Sequence, residues 1–278
     1  MAETDHSSWR LPLEICEKVV QFVEDIDDSD PFGERTRWSL YSCALVCRDW
    51  VPISRICLFR RVELADDRTA ISFMDTVVAS PGLGVYVQDL TIDLDQKQKG
   101  WIYQLLQVLP PRLPNLDHLE YRKLPVLHPL FFGLSPRFTT VSSVRLSLLE
   151  RWSFREIVRL VSGFKNLKKL EVLSGRWVPS ESFYVPRKST PLKMFRIDCG
   201  LLDKDTTDLV RWLTKKQSIF PLDGLHLTCH KMSVQSQHFS ELLLQCSLSL
   251  KRLKLMWDQI TYNDHLVLDR TCKRLVNL

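Results

Sequence analysis

The segment Leu167-Lys168-Lys169-Leu170-Glu171-Val172 has apolar residues at its first, fourth and sixth positions. The fourth and sixth residues lie two apart, so both point to one face of a short strand. The first residue reaches the same interior from the turn before the strand. Seven other segments share this spacing, and the fourth positions of all eight are Val62, Leu90, Leu119, Val144, Leu170, Phe195, Leu225 and Leu253.

The eight segments recur at nearly even intervals. Successive fourth positions are separated by 28, 29, 25, 26, 25, 30 and 28 residues. An L-x-x-L-x-L core at a period of this size is typical of leucine-rich repeats, whose strands stack into a parallel sheet. We therefore predict an α/β fold, with an irregular leucine-rich-repeat solenoid over residues 59–278. Parallel strands would line its concave face, and helices and loops its convex face.

The residues between these strands must return on the convex side. Five returns have amphipathic helical spacing, namely 70–78, 101–109, 154–164, 206–213 and 239–246. The Asn or Cys that usually follows the strand in such repeats is missing, so each turn must satisfy its backbone groups separately. Leu275 and Leu278 match part of a ninth segment, and we expect an array that continues or an eroded last repeat.

The N-terminal part of the chain has helical rather than strand spacing. Pro12 stands early in a predicted helix whose apolar residues run from Ile15 to Val23. A second helix is predicted from Thr36 to about Trp50. It is apolar on more than one side, which indicates a second buried face or a partner surface. A short third segment covers 52–58, and the acidic stretch 24–34 is predicted to be a solvated loop.

Three motifs in this part resemble the F-box domain in order and approximate spacing. They are Leu11-Pro12-x-Glu14-Ile15, Leu45-Val46-Cys47-Arg48-x-Trp50 and Leu58-Phe59-Arg60. The similarity extends to F-box proteins of mushroom-forming fungi (basidiomycetes), although the loop between the first two motifs is longer than usual. The resemblance implies a three-helix F-box domain over residues 9–58.

The same resemblance implies a partner for this domain. F-box domains bind the Skp-type adaptor of a cullin–RING ubiquitin ligase. By the match, the contact would include Leu11, Pro12, Ile15, Leu45, Val46 and Trp50. The alternative is that these residues only form the core of a helical cap on the repeat array.

The sequence contains no recognisable enzyme, metal or nucleotide site. His226-x-x-Cys229-His230 lies on a predicted strand and lacks the second ligand pair of a structural zinc site. Gly82-x-Gly84 is too short for a dinucleotide fingerprint. No Ser, Cys or His stands in a recognisable nucleophile setting. We therefore expect a non-enzymatic protein without a cofactor or metal.

Composition restricts the environment and the partners. The net charge of +5 is mild, and Trp101 and Trp212 lie in predicted amphipathic helices, so an RNA-binding surface of exposed aromatics is not indicated. No apolar run approaches the roughly 18 residues of a membrane span. The N-terminus lacks the apolar core of a signal peptide, and the eight cysteines are scattered. These features favour reduced thiols and a location in the cytoplasm or nucleus.

The outward positions of the predicted strands divide by charge. The first three strands carry a mixed and slightly acidic set, whereas basic residues prevail from the fourth strand onward. The basic residues are Arg145, Lys168, Lys169, Lys193, Arg196, Lys251, Arg252 and Lys254. We predict that they bind an acidic or phosphorylated segment of a protein substrate. An ordinary solvated face is the alternative.

Together these features predict a substrate-recognition adaptor of an SCF-type (Skp–cullin–F-box) ubiquitin ligase. The F-box would bind the Skp-type adaptor, and the repeats would bind the substrate. A leucine-rich-repeat interaction scaffold outside any ubiquitin ligase is the second hypothesis.

Overall fold

The computed structural model describes residues 12–25, 34–94, 100–124, 129–152, 154–177, 192–198, 222–229 and 249–257. The chain divides into two units, Met1–Val62 and Glu63–Leu278. Several sequence predictions fall outside the described residues. These are the position of Leu11, most of the predicted loop 24–34, the helices 206–213 and 239–246, and the partial ninth segment at Leu275 and Leu278. The loop prediction is wrong at its ends, because Glu24 and Asp25 close the first helix and Glu34 begins the second.

The first unit contains three helices around a small core. They are α1 (Leu13–Asp25), α2 (Glu34–Val46) and α3 (Trp50–Arg60). The Pro12 carbonyl accepts hydrogen bonds from the amides of Ile15 (3.0 Å) and Cys16 (3.2 Å), which begins α1. The core consists of Val20, Leu40, Cys43, Ile53 and Cys57.

The prediction that the second helix continues to Trp50 is wrong. The helix ends at Val46, and Trp50 is the first residue of α3. Pro52 supplies the physical reason, because a proline is accommodated in the first turn of a helix but not in its interior. The chain therefore turns at 47–49, where the Trp50 amide donates to the Cys47 carbonyl at 3.2 Å.

The predicted eight strands are present and lie in one sheet in chain order. All the pairings from the second strand to the eighth are parallel. The strands are β1 (Arg61–Leu64), β2 (Asp89–Asp93), β3 (His118–Arg122), β4 (Ser143–Trp152), β5 (Lys169–Trp177), β6 (Met194–Asp198), β7 (Gly224–Cys229) and β8 (Arg252–Trp257). The α/β class and the stacking of successive strands are thereby confirmed.

The register aligns the apolar positions that defined the segments. Leu119 pairs with Val144, Val144 with Leu170, and Leu170 with Phe195, so the fourth positions form one continuous row. The sixth positions form a second row two residues further along. From β1 to β6 the side chains of both rows are buried. Burial of each aliphatic side chain contributes about 1.5–3 kcal/mol before conformational entropy is subtracted.

Helices return the chain between the strands, as predicted for 70–78, 101–109 and 154–164. The short helices Pro81–Gly84 and Leu130–Leu134 were not predicted. They are α4 (Asp67–Ala79), α5 (Pro81–Gly84), α6 (Gly100–Val108), α7 (Leu130–Leu134) and α8 (Phe154–Val161), with short 3-10 turns at Pro110–Arg112 and Ser135–Arg137. The start of α4 is fixed by a reciprocal cap. The Asp66 carboxylate accepts from the Thr69 amide at 2.7 Å, and the Thr69 hydroxyl accepts from the Asp66 amide at 3.2 Å. No helix among the described residues is long and apolar enough to cross a membrane.

Two asparagine side chains each bond to a backbone carbonyl that lies just before the preceding segment. Asn115 Nδ2 donates to the Val85 carbonyl at 2.8 Å, and Asn166 Nδ2 donates to the Thr139 carbonyl at 2.7 Å. Each asparagine immediately precedes the first apolar residue of its segment.

Candidate protein-binding surfaces

Among its described residues, the helical unit has seven large apolar side chains that are exposed. On α1 these follow the spacing i, i+4, i+7, and three of the four on α2 follow i, i+3, i+7, so each set lies along one side of its helix. We call the seven residues the apolar surface: Ile15, Val19, Phe22, Trp38, Tyr41, Leu45 and Val46. Leu45 is 86% exposed and Trp38 is 73% exposed. The core side chains Leu40 and Cys43 occupy another side of α2.

Aromatic residues form part of this surface. The rings of Trp38 and Tyr41 meet edge to face, with centroids 6.3 Å apart and planes at 62°. Pairing of this kind restricts two large side chains without burying them. Rigid exposed aromatics are the residue types that most often contribute strongly to protein interfaces.

The structure divides the predicted adaptor-binding residues into two groups. Pro12, Ile15, Leu45 and Val46 are exposed. Trp50 instead packs against the core of the helical unit and is half-buried. Sequence reasoning missed Val19, Phe22, Trp38 and Tyr41. The sequence shows the helical spacing of these residues, but it does not show which side of each helix faces the core.

The second surface is the open face of the sheet, formed by the outward residues between the two buried rows. In register across it stand Thr91, Glu120, Arg145, Glu171, Arg196, His226 and Lys254, one from each strand from β2 to β8. Parallel strands are about 4.8 Å apart, so neighbouring members of this row are within reach of each other.

Three of the predicted basic residues gather around one carboxylate, and we call these four residues the Glu171 cluster. Arg145 Nε lies 2.8 Å from Glu171 Oε2, Lys169 Nζ lies 3.3 Å from Glu171 Oε1, and Arg196 Nη1 lies 3.9 Å from the same Oε1. The Glu171 side chain is only 6% exposed, whereas the three cations are each about a third or more exposed. The cluster carries three positive charges and one negative charge.

The electrostatics of Glu171 follow from these contacts. Burial alone would raise the pKa of its carboxyl group, because the charged form loses hydration. The hydrogen bond and charge of Arg145, together with Lys169, outweigh burial and hold the pKa below its ordinary value of 4.5. Glu171 is therefore ionised at neutral pH and keeps the cations around it.

A second carboxylate organises the neighbouring strands. Glu120 Oε1 accepts from Arg122 Nε and from the Ser147 hydroxyl, both at 3.0 Å. Arg122 also pairs with Glu63 at 3.0 Å, and Arg145 Nη1 lies 3.8 Å from Glu120 Oε2. Arg145 thus connects the Glu120 pairs to the Glu171 cluster. The face over β3 and β4 is closely balanced in charge.

The remaining five predicted basic residues lie outside the Glu171 cluster, and one of them has a carboxylate partner of its own. Lys251 pairs with Asp223 at 3.3 Å. Within the part of the chain that the structure describes, no carboxylate lies within 4 Å of Lys168, Lys193, Arg252 or Lys254, all of which are exposed. Among the described residues, the face therefore becomes more positive toward β8.

No group of three or more His, Cys, Asp or Glu residues within the described ranges could hold a metal ion. No protein-family model matches the chain, and no curated protein is similar to it.

Proposed function

We propose that the chain is a substrate-recognition adaptor of an SCF-type ubiquitin ligase. In this proposal the helical unit is an F-box that binds a Skp-type adaptor. The sheet unit is an irregular leucine-rich-repeat domain that binds the substrate. The observation that carries the proposal is the apolar surface, which has three exposed residues on α1 and four on α2. Three of the seven, Ile15, Leu45 and Val46, belong to the F-box-like motifs. Pro12 and Leu45, from the first two motifs, are both exposed.

The energetics of the apolar surface favour a protein partner. The core cluster of the three helices contains five buried residues, whereas seven large apolar residues among those described are exposed. Burying such a side chain contributes about 1.5–3 kcal/mol, and a few aromatic or aliphatic anchors supply most of the affinity of an interface. A Skp-type adaptor that covers Trp38, Tyr41 and Leu45 would bury the surface that the unit itself leaves exposed.

The proposed role requires no catalytic residue in this chain. An adaptor that holds a substrate near a ubiquitin-loaded enzyme acts by raising the effective concentration of one for the other. Such a protein needs two independent binding surfaces on one polypeptide. The apolar surface and the charged open face differ in chemistry and could bind two different partners. A ligase of this kind operates in the cytoplasm or nucleus, where we place the chain.

The open face supports a substrate with an acidic or phosphorylated segment. Its basic character comes from the Glu171 cluster and from the exposed Lys168, Lys193, Arg252 and Lys254. From β4 to β8 the face spans four strand spacings, or about 19 Å, which an extended peptide covers with about six residues. A short anionic segment would be long enough to contact the whole basic half.

Co-purification from cells tests the adaptor function and separates it from a scaffold outside any ligase. The tagged full chain is expected to retain the Skp-type adaptor and a cullin. The triple variant Trp38→Ala, Leu45→Ala, Val46→Ala is expected to lose both. The double variant Ile71→Ala, Val78→Ala is the matched control, because these residues are 45% and 48% exposed on α4. Equal recovery of the adaptor with the triple variant and with the control would refute the proposal.

A further inference from the structure

Glu171 is an unusual residue to find in the middle of a surface predicted to bind anions. It stands on β5 between Arg145 of β4 and Arg196 of β6 in the sheet register. Its side chain is nearly buried, and both carboxylate oxygens face cations. An acid at this point lowers the net charge of the face, so simple attraction between opposite charges would favour its removal.

The geometry indicates a different role. Arginine and lysine side chains are flexible, and holding several of them at one point costs conformational entropy. The Glu171 carboxylate holds cationic side chains from three neighbouring strands close together in the absence of a ligand. Arg145 is fixed from two sides, since it also lies 3.8 Å from Glu120. Groups held in place in advance bind a ligand with a smaller entropy loss.

We propose that Glu171 is a positioning residue that assembles Arg145, Lys169 and Arg196 into one binding site for a phosphorylated side chain of a protein segment. The choice of a peptide rests on the proposed function, whereas the site itself rests on the cluster. Guanidinium groups suit phosphate because they present several fixed donors to its oxygens. A phosphate on the solvent side of the cations lies closer to three positive charges than to the buried carboxylate, so attraction prevails.

The proposal makes a prediction opposite to that of simple electrostatics. Glu171→Gln keeps the side-chain size and raises the net charge of the face by one, yet it is expected to weaken phosphopeptide binding. Glu63→Gln is the matched control, because it removes one negative charge from the same face at β1, where Glu63 contacts Arg122 and not the cluster. Simple attraction predicts slightly tighter binding for both variants.

Fluorescence anisotropy with the full chain provides the test. The probes are pools of labelled nonapeptides with a central phosphoserine, glutamate or serine and mixed flanking residues. We expect the wild type to prefer the phosphoserine pool over the glutamate pool about tenfold. Glu171→Gln should lose about tenfold in affinity for phosphoserine and most of the preference, while Glu63→Gln stays within about twofold. A general structural defect would instead lower the affinity for all pools alike.

A second variant keeps the test decisive if Glu171→Gln folds poorly. Arg145→Lys retains the charge but replaces the planar guanidinium that connects Glu171 and Glu120, at a half-exposed site. It should also lose the preference for phosphoserine. Unchanged or tighter phosphoserine binding by either folded variant would overturn the proposal, as would failure of the wild type to bind any anionic pool. The assay contains no Skp-type adaptor, so its failure would leave the ligase proposal standing.

Discussion

The two units of the chain differ in how completely they bury their large apolar side chains. Of the twelve exposed large apolar residues among those described, seven lie in the helical unit, although that unit is much the shorter. In the sheet unit, successive strands cover each other's apolar rows, and Leu119, Val144, Leu170 and Phe195 are almost completely buried. Stacked repeats can bury their own apolar residues. Three short helices enclose only a small core and leave apolar side chains exposed on their outer sides, where we propose that a partner binds.

The largest expected effect concerns the buried row of the sheet. Leu170 has no exposed surface and lies between Val144 and Phe195 in the register. Leu170→Ala should lower the free energy of unfolding by about 3–4 kcal/mol, because it removes apolar contacts and leaves a cavity. Urea denaturation of the full chain followed by far-UV circular dichroism measures this loss. A change below about 1 kcal/mol would show that the strands do not rely on their stacked rows.

Trp50 distinguishes a core residue from a partner contact. Because its side chain packs against the core of the helical unit, Trp50→Ala should destabilise that unit by about 2–3 kcal/mol. Hydrogen exchange of the amides in α1–α3 is expected to accelerate, whereas exchange in the sheet should not change. Unaltered exchange together with lost adaptor binding would show instead that Trp50 contacts the Skp-type adaptor directly.

Leu45 provides the counterpart of Leu170 in the other unit. The same change, Leu45→Ala, removes a side chain that is 86% exposed and should alter the stability of the free chain by less than about 0.5 kcal/mol. It should weaken Skp-type adaptor binding by about 2 kcal/mol, or about thirtyfold in Kd. Thermal melting and surface plasmon resonance on the same preparation measure both quantities. A loss of stability without a loss of affinity would identify Leu45 as a structural residue.

The smallest effect is a dependence of stability on pH in the sheet unit. Since the pKa of Glu171 is lower in the folded chain than its ordinary value of 4.5, its ion pairs stabilise the fold above pH 4.5. This contribution is lost as the pH falls below 4.5 through the folded pKa. The difference in Tm between the wild type and Glu171→Gln should therefore be constant near neutrality and decrease below pH 4.5. A difference that does not vary with pH would contradict this assignment.

The strands were predictable from the sequence because their signal is repeated. Eight segments with the same apolar spacing fixed the strand positions, and even the pairs Leu90–Leu119 and Leu170–Phe195 follow from aligning them. The helical unit offered no such repetition. The apolar spacing predicts Trp50 on α2 because Cys47 continues the pattern toward it, and only the position of Pro52 indicates the break.

The candidate sites were less predictable than the strands for a related reason. Trp38 and Tyr41 were missed because α2 is apolar on several sides, so packing rather than spacing decides which side is exposed. The role of Glu171 depends on contacts among β4, β5 and β6, whose residues are more than twenty positions apart in the chain. Aligning the fifth positions of the segments would have placed Glu120, Arg145, Glu171 and Arg196 side by side.

Isothermal titration calorimetry of the full chain with a purified Skp-type adaptor tests the central claim most directly. We expect a one-to-one complex with submicromolar Kd and a negative heat-capacity change, as the burial of apolar surface requires. The affinity should be lost in the Trp38→Ala, Leu45→Ala, Val46→Ala variant. Absence of any heat of binding with the correctly folded wild-type chain would contradict the claim and leave only an interaction scaffold.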